Sequence, residues 1–547
     1  MRSHAPVRWA IEVGPNPLAE IGRTDQAVTT SSTNMTGTPG ARSKAGAAAS
    51  GKLHPVVWVY LLSVIIPLGF DLGSVAMTGL RLVLLFTIIP TTAGLFSGKY
   101  GKVYPVDYLF CLHMLWATLA MFMNNPGIAL QNSGSFILEF LGGYMLGRAY
   151  IRTPADFAAL VRALLLLVAA SLPFAIYEAL HGTAPIPAWI AKLPGFSSVN
   201  QLLIEKRMGL FRVQVYFAHP IHYGLFCSSV LAVYFVGLRG IASNGARFGA
   251  AGVIGTGVFL SLSSGALLSA LLQVSLIFWA YIFRNNPARW KILIGMFVFI
   301  YIAIDLGSNR TPIRVMMSYA TFSAHNAFYR SIIFEWGMIN VWNNPIFGLG
   351  LRSWIRPHYM VSGSMDNFWL VMAVRYGIPG FLLIAAGYAD ALFRVGRRKL
   401  VERTTLSNMR LAWMISFLGL SFTLVTVHIW TAVYSYVFFL LGAGLWMATY
   451  EEQVGGDEGV PSGARPEREG PRYSRAGAGG LVHAREAALV AGAAGGEAGG
   501  KAAGADLAPS GRDKGEPARE GPSFSRFPDR EALERAGRPA PFTRRDP

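Results

Sequence analysis

Between about residues 55 and 450 the chain is a series of long apolar runs broken by short polar turns. The runs are about 16–25 residues long, enough to cross a hydrocarbon core of roughly 30 Å. They predict twelve helices, near 55–70, 78–97, 105–123, 128–149, 158–180, 217–238, 248–263, 265–283, 290–307, 366–393, 410–427 and 431–449. Only Ser263-Ser264-Gly265 separates the seventh from the eighth. The flanks differ. Residues 1–54 are rich in Ser, Thr, Gly, Ala and Asn, and residues 451–547 alternate Ala, Gly, Pro, Arg and Glu without a period. Both read as disordered tails. Residues 1–54 have no basic start followed by an apolar stretch, so the first helix, not a cleaved leader, is expected to act as the membrane signal.

The expected architecture is therefore an all-α polytopic membrane protein with about 12 transmembrane helices and two long extracytoplasmic loops. Composition agrees. The 547 residues are 52% hydrophobic and only 14% charged, with a mean hydropathy of +0.39. A soluble enzyme carries roughly 25% charged residues. Two cysteines exclude a disulfide framework and a Cys-rich metal site. Cys111 and Cys227 fall within predicted spans and read as small apolar residues.

Charge sets the orientation. Of the net +18, the segment 55–450 holds +16, as 27 basic and 11 acidic residues. In a soluble protein such a balance points to nucleic acid; in a membrane protein it first points to cytoplasmic loops, and no nucleic-acid partner is expected. With twelve spans, Lys99 and Lys102, Arg148 to Arg162, Arg239 and Arg247, Arg284 to Lys291, and Arg394 to Arg410 all fall on one side. That side is expected to be the cytoplasm, with both tails on it.

Two long connections, about 181–216 and 308–365, lie on the other side and are also basic. They hold Lys192, Lys206, Arg207 and Arg212, then Arg310, Arg314, Arg330, Arg352 and Arg356, with Arg375 just inside the next helix. Eight of these ten are arginine, whose planar fork matches phosphate and carboxylate oxygens. An outward-facing anion site and a loop bound to anionic headgroups are both consistent with this. Residues 328–360 are aromatic, and Phe328 to Val341 reads as an amphipathic helix with Ile332, Ile333, Trp336, Ile339 and Asn340 on one face. Its aromatic residues suit either interface anchoring or stacking on sugar rings.

The segment Asp366-Asn367-Phe-Trp-Leu-Val-Met-Ala-Val-Arg375-Tyr-Gly377-Ile-Pro-Gly380 resembles the signature of the O-antigen ligase and Wzy-type polymerase superfamily. Asn367, Gly377 and Gly380 fall on that pattern, and Asp366 stands where ligases have a His. Upstream, Arg330, Trp336, Asn344-Pro345 and Gly348-Leu349-Gly350 resemble the family's run of Arg, Trp, a proline and a Gly-x-Gly turn. Arg207-Met-Gly209-Leu-Phe211-Arg212 and Phe217-Ala-His219-Pro220-Ile-His222 resemble the segment entering its middle helix. The resemblance covers roughly 55–450 and implies a glycosyltransferase resembling the metal-independent, membrane-embedded C class. It would act in the bacterial inner membrane, on its periplasmic side. The implied substrate is an undecaprenyl-diphosphate-linked oligosaccharide. A chain-length regulator and a flippase are the expected partners beside the bilayer, and no cofactor is implied.

Transfer from a lipid diphosphate needs cations for the leaving group and a base for the acceptor hydroxyl. Arg207, Arg212 and Arg330 are the first candidates for the cations, then Arg314 and Arg352. Asp366 is the first candidate base, and Glu205 and His358 are competitors. Carboxylates are weak bases at neutral pH, and burial strengthens them. Asp366 also reads as a helix N-cap, a role compatible with the first. His219, His222, Asn367 and Arg375 are candidate substrate contacts. The His-Pro-Ile-His spacing is compatible with a metal, but no Cys cluster or carboxylate pair accompanies it, so no metal site is expected. Glu139 is a further candidate, as a carboxylate within a span. In ligases the seventh helix often ends in a Ser-Arg-Gly arrangement. Here Ser261-Leu-Ser263-Ser264-Gly265 lacks the Arg. With Asp366 in place of the His, this points to a polymerase of exopolysaccharide or O-antigen type. A ligase transferring glycan to lipid A core is the alternative, and a lipid-oligosaccharide flippase is the alternative of another class.

Overall fold

The computed structural model describes residues 51–451 apart from 74, 203–205, 309–323, 361 and 403. Arg310, Arg314, Glu205 and nearly all of both predicted tails lie outside the described residues. The described part is almost wholly helical. Its helices are α1 (Pro55–Ile65), α2 (Gly79–Phe96), α3 (Pro105–Asn124), α4 (Pro126–Ile137), α5 (Gly143–Tyr150), α6 (Pro154–His181), α7 (Pro185–Ile190), α8 (Pro220–Phe235), α9 (Asn244–Leu260), α10 (Ser264–Ile282), α11 (Arg289–Gly307), α12 (Ala324–Asn343), α13 (Phe368–Arg397), α14 (Thr405–Thr426) and α15 (Thr431–Gly442).

A helix occupies each of the twelve positions drawn from the apolar runs. Among the described residues, eight helices are long and apolar enough to cross a membrane. The protein is a multi-pass membrane protein of all-α class. α1 and α8 are apolar but shorter. The first predicted helix, 55–70, stops at Ile65. Pro67 drives the preceding Ile66 into extended backbone, and the chain continues into a hairpin of β1 (Gly69–Leu72) and β2 (Val75–Thr78). The fourth predicted helix is α4 and α5 joined through a π-turn at Leu138–Gly142. α9 and α10 are separate helices, and Ser263 caps the second through the Ala266 amide.

The core lies where α3 meets α13, α8 meets α9 and α14, and α5 meets α15. Glycines allow the closest approaches: a Cβ at Gly147 would sit 2.2 Å from the Phe439 carbonyl, so α5 and α15 touch backbone to backbone. α3 is 20 residues long, so its two ends are about 30 Å apart. At its first turn Asp107, wholly buried, pairs with Arg148 at 3.1 Å and also accepts from Tyr144 and the Tyr104 amide. Arg148 was expected in an orienting loop; it is buried in α5 instead. At its far end Asn124 and Asn125 bond the 347–352 turn. The candidate site lies at that far end.

Candidate active site

Arg207 to His219 is an irregular strap laid across the ends of α6 and α9. The Phe211 amide bonds the Ala179 carbonyl, and the Val213 amide bonds the Leu260 carbonyl. Glu178, buried near the end of α6, accepts from the Gln214 amide (2.9 Å) and the Val215 amide (2.8 Å). That carboxylate holds a turn in which Val215 has φ +53°. The other described non-glycine residues with positive φ are Met208, Leu262 and Thr431. Met208 follows Arg207, and the Leu262 carbonyl accepts from Arg207 Nη1 at 2.8 Å. Thr431 lines a cavity described below. Left-handed backbone is costly for β-branched residues, and such strain gathers at functional sites.

α12 and α13 supply the opposite wall through a break in α13. Gly377 has φ +73° and ψ 178° inside that helix, and Pro379 lacks an amide hydrogen. The carbonyls of Val374 and Arg375 are thereby released. They accept from Leu349 (2.7 Å) and Gly350 (3.0 Å), while the Ile378 amide turns to the Pro345 carbonyl (2.7 Å). A Cβ at Gly377 would sit 2.0 Å from the Ile346 carbonyl, so only glycine fits. The Gly-x-Gly turn and the signature glycine therefore form one joint. It fixes Arg375 at the break and seats α12 against the start of α13, where Gly337 faces Leu370.

The joint and the strap bring Arg212 and Arg330 each within electrostatic reach of Arg207 and of Asp366. Arg212 and Arg330 are half-buried and make no ion pair among the described residues, and Arg212 Nε has no hydrogen-bond partner. Burial pulls the Arg212 guanidinium down to about 10, and Arg207 adds to the shift against the opposing pull of Asp366. Arg330 is lowered for the same reason, burial first, with Asp366 opposing and Arg207 adding. Both remain cations at neutral pH. His219 is lowered to about 4 by burial, then by Arg212 and Arg207. It is neutral, and its Nδ1 accepts from the Ile221 amide at 3.1 Å, which leaves Nε2–H as a donor. Asp366 accepts from Ser364 Oγ at 3.1 Å. The helix cap is Asn367, whose Oδ1 accepts from the Leu370 amide, so the N-cap reading of Asp366 is corrected.

Two cavities adjoin this group. One of about 390 Å³ is lined by Arg352, Ser364, Met365, Arg375 and His428. Another of about 220 Å³ shares Arg375 and His428 and adds Arg81, Glu139, Trp430 and Tyr434. Trp430 links the parts, with its ring 4.1 Å from His222, 5.7 Å from His428 and 6.1 Å from His219. His428 is lowered to about 3 by burial and by Arg375, and so is neutral.

Residues 249–385 match the family model described as O-Antigen ligase. The chain carries a domain of the O-antigen ligase and Wzy-type superfamily. The matched stretch runs from α9 into α13 and includes Arg330, Asp366, Arg375, Gly377 and Gly380. Arg207, Arg212 and His219 precede it. No curated protein matches the chain. The superfamily's enzymes are membrane glycosyltransferase-like ligases and polymerases, and that general class of activity holds for this domain.

Of the residues predicted from sequence, Arg330 and Asp366 lie in the matched stretch, and Arg207, Arg212 and His219 reach them from the strap before it. Arg375 and Arg352 line the adjoining cavities, though Arg352 is partly committed to Asn124 and the Leu349 carbonyl. His222 is wholly buried against Trp430 and lines neither cavity. Asn367 is a helix cap, and Arg314 lies outside the described residues. His358 is exposed on the loop. Among the described residues no group of three or more His, Cys, Asp or Glu is arranged to hold a metal. Trp430, His428, Tyr434 and the Arg81–Glu139 pair were missed as a group. The one available signal was Glu139, a carboxylate within an apolar run.

Proposed function

We propose that the chain is an inner-membrane polysaccharide polymerase that extends undecaprenyl-diphosphate-linked oligosaccharides on the periplasmic face. In this reading the chain crosses the membrane twelve times, both termini are cytoplasmic, and segments 181–216 and 308–365 face outward. Arg207, Arg212 and Arg330 receive the carrier diphosphate. The acceptor hydroxyl attacks the anomeric carbon, a new C–O bond forms, and the bond to the diphosphate breaks with its electron pair on the leaving oxygen. Asp366 takes the hydroxyl proton, and fixed guanidiniums meet the developing charge without reorganising. His219 Nε2–H supplies a neutral donor beside them.

The observation that supports the reading is that Arg212 and Arg330, more than 100 residues apart in the chain, each lie within electrostatic reach of Asp366 and of Arg207. Arg330→Ala should abolish long-chain polymer in cells while the protein stays in the membrane. Polymer of normal length would reject the assignment. Activity of the purified enzyme in EDTA supports a metal-independent step; strict dependence on added divalent ion rejects it.

The matched model's description favours a second reading, an O-antigen ligase. Asp366 in place of the ligase His, and Ser263-Ser264-Gly265 without an Arg, count against it. Glycan attached to lipid A core only when this protein is present would decide for the ligase.

A further inference from the structure

The 220 Å³ cavity has a chemistry that the diphosphate site does not use. Ser133 on α4 and Tyr434 on α15 are 5% and 2% exposed and line it, yet among the described residues neither hydroxyl has a hydrogen-bond partner. His428 Nδ1 is also without one. Buried polar atoms are normally satisfied, so unpartnered hydroxyls facing one cavity indicate that something else supplies the partners. Across the cavity Glu139 and Arg81 are joined at 2.8 Å. Glu139 sits on the π-turn between α4 and α5, an irregularity that recurs at functional sites. The indole of Trp430, 37% exposed, completes the lining.

We propose that this cavity is a subsite for one sugar ring of the glycan. The inference rests on the glycosyl-transfer reading above and assigns the part of the substrate that the arginines do not hold. A sugar ring offers hydroxyls that both donate and accept, matching Ser133, Tyr434 and His428. Its apolar C–H face suits stacking on Trp430, and adjacent hydroxyls suit the Glu139–Arg81 pair. A volume of 220 Å³ is below the roughly 300–1,000 Å³ of sites for drug-sized ligands and is the right order for one ring.

The test uses the full-length protein in nanodiscs and oligosaccharides released by partial acid hydrolysis of the producing strain's surface polysaccharide, free of lipid carrier. Binding is measured by saturation-transfer NMR and calorimetry. The wild type should bind these oligosaccharides, and Tyr434→Phe and Ser133→Ala should each weaken binding roughly five- to tenfold. Both variants should unfold at the wild-type temperature, because neither hydroxyl has a partner among the described residues to lose. Absent binding by the wild type, equal binding by both variants, or a fall in unfolding temperature in both would overturn the subsite. Arg330→Ala separates the two readings. It should keep oligosaccharide binding and lose polymer. Binding with normal polymer in that variant sinks the arginine roles and leaves the subsite standing; lost polymer without wild-type binding sinks the subsite alone.

Discussion

The two ends of the helix bundle use arginine in opposite ways. At the end where α3 begins, Arg148 is paired with the buried Asp107, Arg394 with Asp390 at 2.8 Å, and Arg289 with Glu402 at 3.2 Å. Arg398 and Arg410 donate to backbone carbonyls there. At the other end Arg81 is paired with Glu139 at 2.8 Å, but Arg212 and Arg330 are half-buried with no ion pair among the described residues, although Asp366 is within electrostatic reach. Taking charge out of water is costly unless it is compensated. At the first end the compensation is internal, and the arginines are architecture. At the second it is incomplete, and an external anion is the natural complement. Counting arginines does not separate these cases; counting their partners does.

The comparison is broken or sharpened by the following tests, from the largest effect to the smallest. Arg330→Ala should leave no long-chain polymer on a glycan gel while membrane abundance is kept. Arg148→Ala in the same assay should lower abundance instead. Asp366→Asn should reduce turnover by about 10²–10⁴-fold, the usual contribution of a positioned base, with carrier binding retained. An unchanged rate would remove Asp366 from the chemistry. Asp107→Asn should cost about 3–5 kcal/mol in unfolding free energy by stranding Arg148, whereas Arg212→Met should leave stability unchanged or raise it. Equal losses in both would erase the distinction between the two ends.

Gly377→Ala should destabilise by about 3 kcal/mol or more, measured as thermal unfolding in detergent, because its φ is +73° and the Ile346 carbonyl occupies the Cβ position. The smallest effect concerns pH. His219 and His428 lie below their ordinary 6.5 in the folded protein, at about 4 and about 3. The unfolded chain therefore binds more protons between those values, and their contribution is complete above 6.5 and lost as pH falls toward 4. The unfolding temperature should drop across that window, and less so in His219→Gln.

Much of the fold was legible because a span is a local property. Twenty apolar residues in a row need no partner to be recognised, and the helices appear where the runs are. Where local rules competed, boundaries moved. Pro67 cut α1 short, and a π-turn split the fourth helix. The site was legible in part. Arg207, Arg212, Arg330 and Asp366, the residues of the proposed site, were singled out because basic residues stood out against the orienting pattern and the Asp366–Gly380 motif lay beside them. The helix-capping of Asn367 and the burial of His222 were not legible, because motif membership does not say whether a side chain caps a helix, packs in the core or faces a ligand.

Sequence alone determined that this is a helical membrane protein with an excess of arginine in two long connections. Both facts follow from composition along the chain, and they hold whichever helices touch. Only the tertiary structure decided which arginines make no ion pair among the described residues, that Gly377 opens α13 to receive the 345–350 turn, and that Ser133, Tyr434, Trp430 and His428 surround one cavity. The reason is physical. Pairing and burial depend on what arrives from elsewhere in the chain, and the cavity's wall joins residues about 300 positions apart, from α4 and α15.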